Sequence, residues 1–254
     1  MIDRLHQLRE TRGVLGTLRY AIQVAPRMMR EHPEWHYHRR LCFAGAVFIL
    51  GAQRYRYFAH PYNWTWDNER AVEIPIVWRI VQQHRGKRIL EVGHVLGHYF
   101  RFPHDVIDKY ERAPGVLNTD VLNFQPEQPY DLIVSISTIE HVGWHDDRRG
   151  WQREPRDPHL ASVAIEHLAE LLTPGGQLVI TFGVDQHPGL DRLVRDDRLP
   201  FDQVGYLRRT SRWNRWKEVE RSQVLDSQYG QPFPCANAVV VGIRNGPDPT
   251  SRSY

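Results

Sequence analysis

Arg88-Ile89-Leu90-Glu91-Val92-Gly93-His94-Val95-Leu96-Gly97-His98 is the stretch on which the reading of the chain turns. Residues 89–92 form a short apolar strand with an acid, Glu91, inside it, and they run into a turn with glycines at 93 and 97. An α/β fold opens a nucleotide site in this way, at the carboxyl end of its first strand. Glycines there let backbone approach a ligand. A dinucleotide fingerprint wants a third glycine where this chain has Val95, and no Gly-Lys-Ser/Thr follows to make a phosphate loop. An acid close to a Glu-x-Gly-x-x-x-Gly turn suits instead a ligand that is cationic and lacks phosphate.

S-adenosylmethionine (SAM) is such a ligand, and the residues downstream fit it. Residues 104–108 read as a second strand ending in Asp108, a carboxylate able to accept hydrogen bonds from both hydroxyls of a ribose. Residues 116–120 read as a third strand ending in Asp120, placed to accept an adenine amino proton. The fourth, 130–136, is nearly all apolar, as a strand covered on both faces must be. A helix over 161–172, a turn at Thr173-Pro174-Gly175-Gly176 and strands at 177–182, 204–208 and 238–243 complete an alternating α/β pattern.

From about residue 66 to about residue 245, the motifs EVGHVLGHYF, VIDKYE, NTDVLNF, YDLIVSISTIEHVGW and LAELLTPGGQLVITF occur in the order found in class I SAM-dependent methyltransferases, which the chain resembles. The resemblance implies a Rossmann-like, seven-stranded, mostly parallel sheet whose last strand inserts antiparallel. It also implies SAM held by Glu91, Gly93, Gly97, Asp108, Asp120 and Ser137. Glu91 would bind the methionine amino group or stabilise the glycine turn. Val95 stands where that family usually has glycine. More closely, Asn68-Glu69-Arg70-Ala71-Val72-Glu73-Ile74-Pro75 and Pro232-Phe233-Pro234-Cys235-Ala236-Asn237-Ala238 are similar to a bacterial branch associated with polysaccharide and glycolipid assembly. The mycobacterial sugar O-methyltransferases, including the methylmannose polysaccharide enzyme, are the nearest functional comparison. The acceptor implied is a hydroxyl of a sugar or oligosaccharide, a mannoside among them. A small natural product as acceptor, or a catalytically silent partner in a glycan-assembly complex, are the alternatives.

Chemistry is expected after the fourth strand, in Ser137-Thr138-Ile139-Glu140-His141-Val142-Gly143-Trp144-His145-Asp146-Asp147. His141 or His145 can serve as general base towards an acceptor hydroxyl, a task that suits an imidazole. Alternatively, Glu140 and His141 hold a divalent cation such as Mg²⁺, with His187 as third ligand or Asp146 and Asp147 as carboxylate ligands. Metal-dependent members of the family carry another Glu three positions before the pair, where this chain has Ser137. A structural role for Glu140 and His141 is the third reading.

At 254 residues and 41% hydrophobic content, the chain can bury a sizeable core. Its net charge of +3 is too slight to imply a nucleic-acid partner. Two cysteines, Cys42 and Cys235, make no disulfide framework and fit a reducing, cytoplasmic compartment. Residues 1–66 read as an N-terminal extension to a catalytic domain over 67–245, with a flexible tail over 246–254. The extension begins with one or two helices over 1–31, interrupted at Pro26. The apolar run 41–50 is too short to span a bilayer and reads as a buried helix or the contact of a homodimer. Aromatics crowd residues 55–66, where Tyr62, Asn63 and Trp66 are candidates for the acceptor pocket ahead of a helix over 68–84. Trp213 and Trp216, interleaved with Arg212 and Arg215 on what reads as a loop, are candidates for stacking on a sugar ring. Residues 185–191 read as a polar loop.

Overall fold

The computed structural model describes residues 45–143 and 157–248, together with Arg40, Leu41 and Phe43. The chain divides into two compact units, residues 1–44 and 45–254. In the first unit only Arg40, Leu41 and Phe43 are described, all helical; the expected helices over 1–31 and Cys42 lie outside the described residues.

The second unit opens with a hairpin, β1 (Val47–Leu50) and β2 (Gln53–Arg56), paired antiparallel. The expected buried helix over 41–50 is therefore a strand from Val47 onward. β-branched and aromatic residues favour that outcome, and Gly51 turns the chain with φ +58°. The hairpin packs on the sheet domain, where the Gly51 amide donates to both carboxylate oxygens of Glu218 at 3.0 and 2.9 Å. Residues 45–66 thus lie in the same compact unit as the sheet.

Helix α1 (Arg70–Gln83) follows, then β3 (Ile89–Val92), β4 (Asp105–Ile107), β5 (Val116–Leu117), β6 (Tyr130–Ile136), α2 (Leu160–Glu170), β7 (Leu172–Gly183), α3 (Pro188–Arg195), β8 (Gln203–Arg209), β9 (Trp216–Glu218) and β10 (Ala238–Asn245). The sheet runs β5-β4-β3-β6-β7-β10-β8-β9. β5, β4, β3, β6 and β7 are mutually parallel, whereas β10 lies antiparallel between β7 and β8. This is the Rossmann-like class I methyltransferase fold with one strand, β9, added at the edge.

Alternation along the strands divides the core. On one face Leu90, Val92, Ile133, Leu178 and Ile180 pack with α2 and α3, and on the other Ile89, Leu132, Val134 and Val179 pack with α1. Between β3 and β4 the described chain makes only a 3-10 turn, Leu96–His98, and aromatic rings cover the sheet there. Phe100 stacks on Trp78 with centroids 3.8 Å apart, and Phe58 meets Phe100 at 5.6 Å.

Several local expectations need revision. Thr173 to Gly176 form an irregularity inside a longer β7, where pairing with β6 jumps from Tyr130↔Leu172 to Leu132↔Gln177. Residues 188–195 are helix α3 rather than loop: Pro188 occupies its first turn, and the His187 side chain caps it by accepting from the Leu190 amide at 3.1 Å. Trp216 lies in strand β9 rather than a loop. The start of the expected tail is pinned, since the Gly246 amide donates to Gly176 O at 2.7 Å and the Gly175 amide to Pro247 O at 3.0 Å. Residues 249–254 lie outside the described residues.

Candidate functional site

The strand order reverses beside β3, and outside the carboxyl ends of β3, β4, β5 and β6 lies a cavity of about 570 Å³. Open α/β sheets bind ligands at this switch point, and the volume is that of a small-molecule site. Gly93, Asp108, Asp120 and Ser137 line it, each from the end of a different strand, together with Asn63, Glu69, Arg70, Glu140 and His141.

The turn after β3 is built by Glu91. This carboxylate is fully buried; its Oε1 accepts from the amides of Val95 at 2.9 Å and Leu96 at 2.5 Å, and its Oε2 pairs with His104 Nε2 at 2.9 Å. Of the two roles open to Glu91, the contacts are those of turn stabilisation. Gly93 sits in the left-handed region at φ +83°, and an added Cβ would lie 2.2 Å from Thr138 Oγ1. Gly97 differs: it does not line the cavity, and its missing side chain makes room for the His94 ring, whose Nε2 would lie 2.1 Å from a Cβ.

Asp108 follows β4. Its Oδ1 accepts from the amides of Tyr110 and Glu111, both at 2.8 Å, and its Oδ2 from the His94 amide at a longer 3.3 Å. A weakly engaged oxygen is thus left on the cavity wall. Asp120 accepts from the Leu122 amide at 3.0 Å and pairs with Lys109 at 2.9 Å.

Part of the lining is acidic. Asn68 starts α1 by accepting from the Arg70 amide at 3.0 Å, which brings Glu69, Arg70 and Glu73 to the end of β6. Arg70 pairs with the fully buried Glu73 at 2.8 Å, and Glu73 also accepts from Ser137 Oγ at 2.7 Å. Burial works against the Arg70 charge, but Glu73, Glu69 and Glu140 outweigh it and raise its pKa above the ordinary value. Ser137 holds φ +38°, a conformation that costs a β-carbon residue about 1–3 kcal/mol. The bond to Glu73 and a 2.8 Å bond from the Ser137 amide to Thr181 O hold it there.

Glu140 lies in the 3-10 turn Ile139–His141, only 1% exposed, and neither of its oxygens reaches hydrogen-bond geometry with a described residue. Burial pushes its carboxyl up to about 8, against the pull of its own peptide N–H, with Glu73 adding to the rise and Arg70 opposing it. A buried, unpartnered carboxyl on a cavity wall is costly unless a ligand completes it.

No protein-family model and no curated protein matches the chain. Among solved structures, the chain is similar to the N-methyltransferase NodS of Bradyrhizobium japonicum WM9 in complex with S-adenosyl-L-homocysteine, at 18% identity over 72% of this chain and 90% of that one, with a TM-score of 0.40. It is also similar to the sugar N-methyltransferase KedS8 of Streptoalloteichus sp ATCC 53650, at 15% identity over 79% of this chain and 97% of that one, with a TM-score of 0.36. Likeness this distant leaves substrate and chemistry to the cavity's own residues.

Not every candidate residue reaches the cavity. His187, the expected third metal ligand, has both ring nitrogens engaged, Nδ1 by the Leu190 amide and Nε2 by Val142 O at 3.2 Å. It is 1% exposed, and burial lowers its pKa, so it is a neutral helix cap with no lone pair for a cation. His145, Asp146 and Asp147 lie outside the described residues. Trp66 is buried and does not line the cavity. Trp216 is buried too, its Nε1 donating to Asn214 Oδ1 at 2.7 Å, and Trp213 lies under Arg212 away from the cavity. Tyr62 stacks on His98 with centroids 4.4 Å apart, next to Asn63 on the rim. Glu69, whose Oε2 accepts from the Ala236 amide at 3.1 Å, and Arg70 line the cavity, although neither was among the candidate site residues. An acid in a first turn has the same appearance whether it caps or faces a site.

Proposed function

We propose that this chain binds SAM and transfers its methyl group to a hydroxyl of a sugar or oligosaccharide acceptor. The observation that carries the reading is the buried carboxyl of Glu140, without a hydrogen-bond partner among the described residues, in the lining of a cavity that also presents Gly93, Asp108 and Asp120. SAM, when bound, supplies an activated methyl on a cationic sulfur. The weakly engaged oxygen of Asp108 accepts from ribose hydroxyls, and Asp120 faces the adenine. Gly93, against whose α-carbon Thr138 packs, holds the left-handed turn that lines the cavity where the amino-acid end would lie. Among the described residues, Glu69, Glu73 and Glu140 act on the guanidinium of Arg70, so a positive ligand charge offsets an excess of carboxylate.

The same logic makes Glu140 a base. In the empty cavity its proton stays on to about pH 8; a cation alongside favours the anion, which then takes the acceptor's hydroxyl proton as the new carbon–oxygen bond forms and the carbon–sulfur bond breaks. His141, on the same turn, is the other group in position for that proton. Most of the remaining rate enhancement comes from alignment of the two reactants. For the acceptor, Tyr62 and Trp64 are about half exposed on either side of Asn63 on the cavity rim, and such rings suit the apolar face of a sugar.

Calorimetric titration with S-adenosylhomocysteine (SAH) tests the cofactor step. Binding that falls about 10- to 100-fold in Asp108→Ala, the worth of a charge-assisted hydrogen bond or two, supports it and justifies assaying mannosides and other sugars for methyl acceptance. A wild-type protein that binds neither SAH nor SAM overturns it.

A further inference from the structure

Beside the cavity, the geometry points to a binding site for one divalent transition-metal ion of the zinc class, formed by His94, His98 and Glu111. This inference does not depend on the methyltransferase reading. His94 Nδ1 lies 2.7 Å from Glu111 Oε1, and His98 Nε2 lies 3.2 Å from the same oxygen and 3.4 Å from Oε2. One candidate ligand atom from each residue falls within 4.8 Å of the others. A tetrahedral ion with bonds of about 2.0–2.2 Å holds its ligand atoms about 3.3 Å apart, so these groups need to move by only a few tenths of an ångström to 1 Å or so to close around it. Two imidazoles and one carboxylate are the donor set that suits zinc and leaves a fourth position open.

The set is held in advance by its surroundings. Asp108 ties two of the ligand residues together, accepting from the Glu111 amide with Oδ1 at 2.8 Å and from the His94 amide with Oδ2 at 3.3 Å. Tyr62 stacks on the His98 ring, and only glycine at 97 lets the His94 ring lie where it does. All three side chains are partly exposed, so an ion can reach them from solvent. His94 and Glu111 also line the cavity, which directs the open fourth position towards whatever occupies it. Such an ion is distinct from one held by Glu140, His141 and His187.

The test is titration of the full, chelator-treated chain with Zn²⁺ and with Co²⁺. The expected result is 1:1 binding, with visible Co²⁺ absorption bands of tetrahedral type, weakened at least 100-fold in both His98→Gln and Glu111→Gln. Far-ultraviolet circular dichroism of the variants without metal checks that they fold. A second measurement on unaltered protein is a crystal soaked in Zn²⁺ and read at the zinc edge, where the anomalous peak should sit among His94, His98 and Glu111. No 1:1 binding by the wild type, binding that survives in both variants, or a peak elsewhere would each overturn the site in favour of a plain hydrogen-bond cluster.

Discussion

His104 presents both ring nitrogens to acceptors: Nε2 lies 2.9 Å from Glu91 Oε2 and Nδ1 2.9 Å from Phe102 O. A ring so placed carries two protons and a positive charge. Burial alone would lower its pKa, but the bonds to Glu91 and to Phe102 O prevail and raise it above 6.5. The turn that shapes the cavity thus rests on a buried carboxylate whose countercharge comes from the next strand.

Removing that countercharge should be expensive. In His104→Ala, Glu91 keeps its two amide donors but loses its cation, and breaking a buried pair typically costs about 3–5 kcal/mol. Urea denaturation at pH 6 should show a loss near the lower end of that range. Because the folded pKa lies above the unfolded one, the contribution is fully present below about 6.5 and fades as pH rises through the folded value. The wild type should therefore lose stability to the variant on going from pH 6 to pH 9. A gap that stays constant over that span would mean that the ring is neutral.

Much of this turn could be read from the sequence. Glu91 inside an apolar strand and a glycine at 93 announced the turn at the cavity, and the acids at strand ends placed Asp108 and Asp120 in its lining. Those are signals of local pattern. His104 gave no such signal, because its partner is thirteen residues away across a parallel pair. The acidic wall was hidden in the same way, since Glu69, Glu73 and Glu140 meet only once α1 packs against the end of β6. Trp216 misled for the converse reason: aromatic density marks a core as readily as a sugar site, and Trp216 is buried with its N–H spent on Asn214.

The two glycines of the turn should respond differently to alanine. Gly93→Ala combines a left-handed φ with a Cβ only 2.2–2.8 Å from three atoms of Thr138, and the combined strain should cost about 2–3 kcal/mol and abolish SAH binding. Gly97→Ala meets only the far edge of the His94 ring, which can swing aside. Its cost should stay near 1 kcal/mol with SAH binding retained. Thermal melts and calorimetry of the two variants decide the matter; equal losses would mean that both positions are set by backbone shape alone.

Glu140 supplies a pH test of the cavity's charge. A carboxyl with a pKa of about 8 must give up its proton to pair with a cation, so SAM should bind more tightly as pH rises from 6.5 to 9, while neutral SAH should not. The preference for SAM over SAH should grow several-fold across that range and stay flat in Glu140→Gln. Stability runs the opposite way. The folded pKa lies above the unfolded value of about 4.5, so the native state binds more protons between them and loses stability as pH rises from about 4.5 to 8. Glu140→Gln should therefore melt several degrees above wild type at pH 8.5 and near it at pH 5. A wild-type SAM preference that does not vary with pH would remove Glu140 from the sulfonium's surroundings.

Among the described residues, Arg70 is the guanidinium on which Glu69, Glu73 and Glu140 act, and its partner Glu73 has no exposure at all. Arg70→Met keeps most of the side-chain volume and takes the cation from Glu73, which still receives the 2.7 Å donation from Ser137. At pH 8 the variant must either bury an uncompensated charge or protonate Glu73, and both routes fall in the range of about 3–5 kcal/mol. At pH 5 the carboxyl is already close to the pH at which it takes a proton in solution, so the penalty should shrink by half or more. Adding Glu73→Gln to Arg70→Met removes the stranded charge while preserving an acceptor for Ser137. The double variant should therefore be more stable than Arg70→Met at pH 8, giving a coupling energy of about 2 kcal/mol in a double-mutant cycle. If the single and double variants lose the same stability at both pH values, the ion pair contributes nothing beyond packing, and the excess of carboxylates over one arginine is not what prepares this wall for a cation.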